Sequence, residues 1–311
     1  MKILITGVHG FVGSNLVSAL GGRHTIYGLD IVSPAKSGVE KTYSWEALET
    51  GEIPAVDAVI HLAGMAHDTK DRTAAEVYFK VNTGLTQKIF DWFRASSARK
   101  FVFFSTAKAA ADRVEGILTE EVVPAPVGPY GESKIKAEAY IRANMPADKD
   151  VYILRPCMIH GPGNKGNLNL LYSVVQKGIP WPLGAFENRR TMTSVENVCF
   201  VVEGLLTREA ASGIYNMGDD EPLSTNELIG EICRSLGKRA RIWHLPKGLM
   251  TAAAVVGGWL HLPLNPERLR KLTEDYVSSN AKIKAALGID RMPVRAKEGL
   301  QRTLESFRQP S

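Results

Sequence analysis

Apolar residues along this chain fall into short solid runs separated by stretches of helical spacing. The runs lie near 2–6, 24–29, 57–62, 101–105 and 151–155. Each is too short for an independent helix and rich in branched or aromatic residues, which predicts buried strands. Between them, 11–20, 76–97 and 129–144 carry apolar residues at spacings that suit helices packed on a core. Strand and helix in alternation predict βαβ units, and so an α/β fold with a doubly wound parallel sheet covered on both faces. Ligands of such sheets sit beyond the carboxyl ends of the strands, and Gly13, Asp30, Gly64 and Thr106 all lie near such ends.

The first strand gives this sheet a candidate chemistry. Lys2–Thr6 runs into Gly7-Val8-His9-Gly10-Phe11-Val12-Gly13 and then a helical pattern through Leu16, Val17 and Leu20. Strand, glycine turn and helix in that order form a dinucleotide site: glycine admits the pyrophosphate to the backbone, and amides at the helix start receive its charge. The second run ends in Asp30, whose carboxylate can accept hydrogen bonds from both ribose hydroxyls and would repel a 2′-phosphate. No arginine occurs in Ile31 to Pro34, so NAD is expected rather than NADP.

Tyr130 and Lys134 are four residues apart in a segment that reads as a helix from Pro129, so phenol and ammonium share one face. A neighbouring cation favours phenolate, which would let Tyr130 take a hydroxyl proton while the carbinol carbon gives up hydride. Ser105 or Thr106, at the end of the run Phe101–Phe104, could hold the same oxygen.

These motifs, with Asp57-Ala58-Val59-Ile60-His61-Leu62-Ala63-Gly64, Val81-Asn82-Thr83-Gly84, Arg155-Pro156 and Tyr215-Asn216-Met217-Gly218, follow one another along most of the chain. The chain thereby resembles the extended short-chain dehydrogenase/reductases, the nucleotide-sugar epimerases and dehydratases. The resemblance implies a Rossmann-type NAD-binding domain over 1–160, with 191–218 packing back on it, and a smaller α/β substrate lobe from 161–190 and 219–311. It implies cofactor contacts from Gly7, Gly10, Phe11, Val12, Gly13, Asp30, Leu62, Ala63, Gly64, Asn82, Tyr130, Lys134 and Pro156. Substrate contacts would come from Asn167, Leu168, Trp181, Leu183 and Arg190, the last gripping a diphosphate with its forked guanidinium, and from His67.

Departures from the family pattern narrow the chemistry. Dehydratases and decarboxylases of the family place an acid one or two positions beyond the catalytic Ser/Thr, where this chain has Ala107 and Lys108. Elimination needs a general acid, so oxidation and return at one carbon, C4, is the expected reaction. The closest pattern resembles a subgroup of surface-polysaccharide pathways that holds UDP-glucose 4-epimerases and 4-reductases of UDP-4-keto-6-deoxy-N-acetylhexosamines. A non-catalytic NAD sensor is a third reading.

Composition sets outer bounds. With 311 residues and 44% hydrophobic content the chain can bury a large core. A net charge of +5 is mild, suits an anionic small substrate and includes no basic run of the kind that binds nucleic acid. Cys157, Cys199 and Cys233 have no metal-like spacing, which predicts reduced thiols, a cytoplasmic setting and no metal site. The first residues enter a strand directly, leaving no room for a signal peptide. Gly248–Leu262 is almost wholly apolar but too short to span a bilayer, so it reads as a buried or interfacial helix, with core packing favoured over membrane contact. The helices near 76–97 and 129–144 resemble those that pair between family subunits and carry Val77, Phe90, Trp92, Phe93 and Ile135, which predicts a homodimer.

Overall fold

Seven parallel strands form the central sheet of the computed structural model, which describes residues 1–65, 74–164, 166–260 and 264–308. From one edge to the other they are Gly213–Met217, Asp150–Pro156, Lys100–Phe104, Ala58–His61, Lys2–Thr6, Thr25–Leu29 and Lys41–Tyr43. The order turns back at Lys2–Thr6, which pairs with both Thr25–Leu29 and Ala58–His61. That reversal opens the crevice in which α/β sheets bind ligands.

Each face of the sheet is covered by its own core. On one side the helix Phe11–Leu20 and the helix Val195–Thr207 bury Leu16, Leu20, Val198 and Leu205 against Ile3, Ile5 and Ile60. Ile283, Leu287 and Met292 join this layer, so part of the stretch assigned to the small lobe packs on the sheet domain. On the other side Phe90 and Phe93, from the helix Leu85–Ala95, meet Phe101 with ring centroids 5.0 Å apart. Both phenylalanines are fully buried, which corrects their placement on a subunit-facing surface: the amphipathic helix spends that apolar stripe on the sheet.

The smaller lobe has a separate core in which Leu168, Tyr172, Leu183, Ile232, Leu269 and Leu300 meet. A two-stranded ladder, Met158–His160 with Met192–Ser194, joins it to the sheet domain. Buried polar bonds fix that joint: Asp219 accepts from the Ser194 amide at 3.0 Å and from Asn197 Nδ2 at 2.8 Å, and His160 meets Thr303 Oγ1 at 2.9 Å.

Candidate active site

The glycine turn is packed so tightly that side chains are excluded. A Cβ on Gly13 would stand 2.4 Å from the Gly7 carbonyl oxygen, and one on Gly7, whose φ is +70°, would stand 2.9 Å from the Ala63 nitrogen. Gly7 therefore needs both its left-handed backbone and its missing side chain. The helix that follows, Phe11–Leu20, has no side-chain cap, which leaves its first-turn amides at Phe11, Val12 and Gly13 without a side-chain acceptor, as an anion site requires. Asp30, one residue past its strand, accepts from the His9 amide at 3.0 Å and so stands beside the same loop. Anion-receiving amides, a bare backbone and a carboxylate beside the loop fit a dinucleotide with a free 2′-hydroxyl. Asp30→Ala should therefore relax discrimination against NADP, read as the ratio of NADP to NAD affinity in a fluorescence titration; an unchanged ratio would refute the assignment.

The neighbouring strand end is held by a chain of buried hydroxyls. Thr6 Oγ1 accepts from the Leu62 and Ala63 amides and lies 2.6 Å from His61 Nδ1, while His61 Nε2 lies 2.9 Å from Thr86 Oγ1. Thr86 donates to the Asn82 carbonyl. Asn82 sits in a π-helical turn, Phe79–Gly84, where its Oδ1 accepts from the Met65 amide at 2.7 Å and its Nδ2 donates to Ser133 Oγ at 3.0 Å. Such a turn sets a side chain off the regular helical face, a device common at functional sites. Asn82 thus ties the Leu62–Met65 segment to the helix that carries Tyr130.

Burial, reinforced by the Lys134 charge, holds His61 well below its ordinary 6.5 and keeps it neutral. The unfolded chain takes up a proton below about pH 6.5 that the fold refuses, so this histidine makes stability fall as pH drops through that range. The expected slope is up to about 1.4 kcal/mol per pH unit. Thermal melts at pH 7 and pH 5 should show a fall that His61→Gln lessens; an equal fall in both proteins would contradict this account.

The helix Pro129–Ala143 begins at the mouth of the crevice with Tyr130 and carries Lys134 and Glu138 below it on one face. The Thr106 side chain lies near enough to the Tyr130 hydroxyl to favour its ionised form, and the Tyr130 ring meets Tyr78 edge-on at 6.3 Å. Lys134 Nζ donates to the Phe104 carbonyl at 2.9 Å and lies over the Phe103 ring. Gly64 abuts this ammonium, since a Cβ there would stand 3.1 Å from Lys134 Nζ and 2.9 Å from Asn82 Oδ1. The glycine loop, Gly64, Asn82 and Lys134 therefore border one space.

Two expectations about this trio are corrected. Burial pushes the Tyr130 phenol above its ordinary 10, only partly offset by the nearby Thr106, where a phenolate favoured by lysine was expected. The reason is that Lys134 is itself desolvated, down to about 8, and spends its hydrogen bond on a backbone carbonyl. Second, Ser105 does not share the Thr106 role: its hydroxyl donates to Glu138 Oε1 in a short bond. Glu138 in turn receives Arg155 through Nη2–Oε2 at 2.6 Å and Nε–Oε1 at 3.0 Å, both side chains being 1% exposed. This buried pair locks the helix to the strand Asp150–Pro156, which ends at Pro156. Reading the sequence for chemistry passes over Glu138, although its place four residues after Lys134 is a visible signal.

The proposed substrate residues fare differently. Asn167 opens the helix Asn167–Gln176 and is exposed. Leu168, Trp181 and Leu183 are buried in the lobe core, and the Trp181 indole donates to Asn226 Oδ1 at 3.1 Å. Their side chains serve packing, because the edge at 181–183 is already paired with 241–244. Arg190 donates to the Lys271 carbonyl rather than standing free. It lies in the field of Glu274, Cys157 and Tyr276. His67 lies outside the described residues. Cys157, pushed up to about 12 by burial, is an unreactive thiol at neutral pH. A cavity of about 680 Å³ bordered by Lys2, His24 and Asp57 lies at the opposite, amino-terminal ends of the strands, away from this chemistry.

The model of the NAD dependent epimerase/dehydratase family matches residues 3–218. The chain belongs to that family. It is 32% identical over 265 residues to the UDP-glucose 4-epimerase of Vibrio cholerae, covering 79% of this chain and 78% of that one. It is 26% identical over 326 residues to the N-acetyl-alpha-D-glucosaminyl-diphospho-ditrans,octacis-undecaprenol 4-epimerase of Escherichia coli O157:H7, covering 98% and 94%. Among solved structures, the Thermus thermophilus UDP-glucose 4-epimerase complex with NAD superposes with a TM-score of 0.75 at 24% identity, over 99% of each chain. The Bacillus cereus UDP-glucuronic acid 4-epimerase in complex with NAD gives 0.74 at 20% identity, over 98% of each. These two agree with the Rossmann-type fold. The chain is thus an enzyme of an NAD-dependent family, and NAD is the cofactor its glycine turn and Asp30 fit.

Proposed function

We propose that this enzyme inverts C4 of a sugar carried on a diphosphate, most simply a UDP-hexose or UDP-N-acetylhexosamine, in surface-polysaccharide synthesis. The observation that carries this reading is the convergence of Tyr130, Thr106 and Lys134 on one crevice, with Tyr130 one helical turn from Lys134 and Lys134 against Gly64. Tyr130 is positioned to take the proton of the C4 hydroxyl and to return it after the sugar presents its other face. Thr106 orients the phenol, and Lys134 offers a positive charge on the same face of the helix. Bound NAD would supply reversible hydride acceptance from the carbinol carbon. Ala107 is buried and Lys108 pairs with Asp112 at 2.8 Å, so neither offers an acid for elimination. That supports C4 inversion over dehydration.

Two other readings separate experimentally. Purified protein given UDP-hexoses without reductant should interconvert C4 epimers; consumption of NADH with a UDP-4-keto-6-deoxy-sugar, and no interconversion, would make it a 4-ketoreductase instead. NAD binding without either reaction would make it a sensor. The likeness to the undecaprenol-linked 4-epimerase extends the same test to a polyprenyl-diphospho-N-acetylhexosamine.

The reading includes a cytoplasmic homodimer. Free Cys157, Cys199 and Cys233 suit a reducing compartment. Val77, Trp92 and Ile135 keep partial or full exposure on the helices that would pair. Light scattering should give twice the monomer mass at micromolar concentration, and a monomer mass there would refute the pairing.

A further inference from the structure

The helix Lys247–Trp259 buries only Met250, Ala254 and Gly257 against the lobe. That narrows the core-packing role expected for it. Leu249, Ala252, Ala253, Val256, Trp259 and Leu260 follow at helical spacing on the outward side, and all six are exposed. Trp259 is 80% exposed and Leu260 64%. A stripe of this width normally faces a core. Here it faces outward, and single exposed apolar residues need no explanation whereas an aligned row does.

The surroundings of the stripe indicate what covers it. Ile232 to Pro266, 35 residues, contains five Lys or Arg and no Asp or Glu. Lys238, Arg239, Arg241 and Lys247 are exposed, and none of them meets a carboxylate among the described residues. Trp243, 54% exposed, adjoins them in the segment that leads into the helix. No described helix is long and apolar enough to cross a membrane. An apolar helical face with tryptophan at its end and unneutralised cations in the segment that leads into it has the composition of a segment that lies in the headgroup region of an anionic bilayer.

We propose that this face of the small lobe docks on anionic lipid, holding the enzyme at a membrane surface without spanning it. None of the stripe residues or of Lys238, Arg239, Arg241 and Lys247 is placed in the candidate active site, so the proposal does not rest on which sugar is the substrate. It also differs from pairing of copies, which the same apolar row could otherwise serve.

The test is flotation of the full-length protein with vesicles of phosphatidylcholine alone and of equal parts phosphatidylcholine and phosphatidylglycerol. Wild type should float with the mixed vesicles, much less with phosphatidylcholine alone, and less as salt is raised. Val256→Glu with Trp259→Glu should cut partitioning about tenfold or more, and Arg239→Glu with Arg241→Glu should abolish the preference for anionic lipid. All these side chains are exposed, so NAD binding and the thermal transition should be unchanged and will show that the variants are folded. Wild type that stays with the soluble fraction, or a folded Val256→Glu/Trp259→Glu protein that floats as wild type does, overturns the proposal. So does wild type that fails to float while the apolar substitutions halve its mass in light scattering, which would make the face a contact between copies.

Discussion

Tyr130→Phe should lower kcat by about 10²- to 10⁴-fold, the range of a lost general acid–base group, while NAD affinity stays within a few-fold. The phenol is the group placed to move the sugar's hydroxyl proton in the proposed reaction, and removal of one oxygen leaves the Tyr78 ring contact intact. Because burial holds the phenol above its ordinary 10, the reactive phenolate is scarce at neutral pH. Wild-type kcat/KM should therefore climb towards alkaline pH, and Tyr130→Phe should lose that limb. Lys134 sets a second boundary: it carries its charge below about 8 and loses it above. A Tyr130→Phe enzyme with wild-type turnover and pH profile would remove Tyr130 from the chemistry.

The largest effect on stability is expected at Glu138. Its carboxylate takes two hydrogen-bonding directions from Arg155 and the Ser105 hydroxyl. Glu138→Ala leaves a guanidinium 1% exposed with no counter-charge, and Arg155 Nη1 already has no partner among the described residues. Breaking a buried pair from one side costs about 3–5 kcal/mol, more than the pair contributes as a whole, because the surviving charge stays buried. Urea titration should show this loss, and Glu138→Met with Arg155→Met should recover much of it. A single variant as stable as wild type would mean that solvent reaches Arg155, contrary to the structure.

How much of this is legible in the sequence depends on whether the information is local. The strand runs, the glycine turn and Asp30 can be read because each element's periodicity and its terminal residues are written within a dozen positions. The roles of Ser105 and Thr106 cannot be divided that way. Adjacent residues at a strand end point in different directions, and only the tertiary partner, Glu138 for one and Tyr130 for the other, tells them apart. The phenol's environment is hidden for a similar reason: the spacing of Tyr130 and Lys134 is local, but the burial of both depends on tertiary neighbours, among them Tyr78 against the phenol and Phe103 under the ammonium. Leu168, Trp181 and Leu183 match substrate contacts by likeness of position, and the lobe's own need for a core claims their side chains. The apolar helix at 247–259 is visible in the sequence but its partner is not, since a hydrophobic run does not say which of its faces is covered.

The central claim is that the sugar's own C4 hydrogen leaves and returns within one turnover. The direct measurement uses a UDP-hexose carrying deuterium at C4, incubated with the purified enzyme and its bound NAD in ordinary water with no added reductant, and follows the products by proton NMR. C4 inversion predicts an epimer that keeps deuterium at C4. An epimer with hydrogen at C4, or no epimer unless a reductant is supplied in stoichiometric amount, would contradict it.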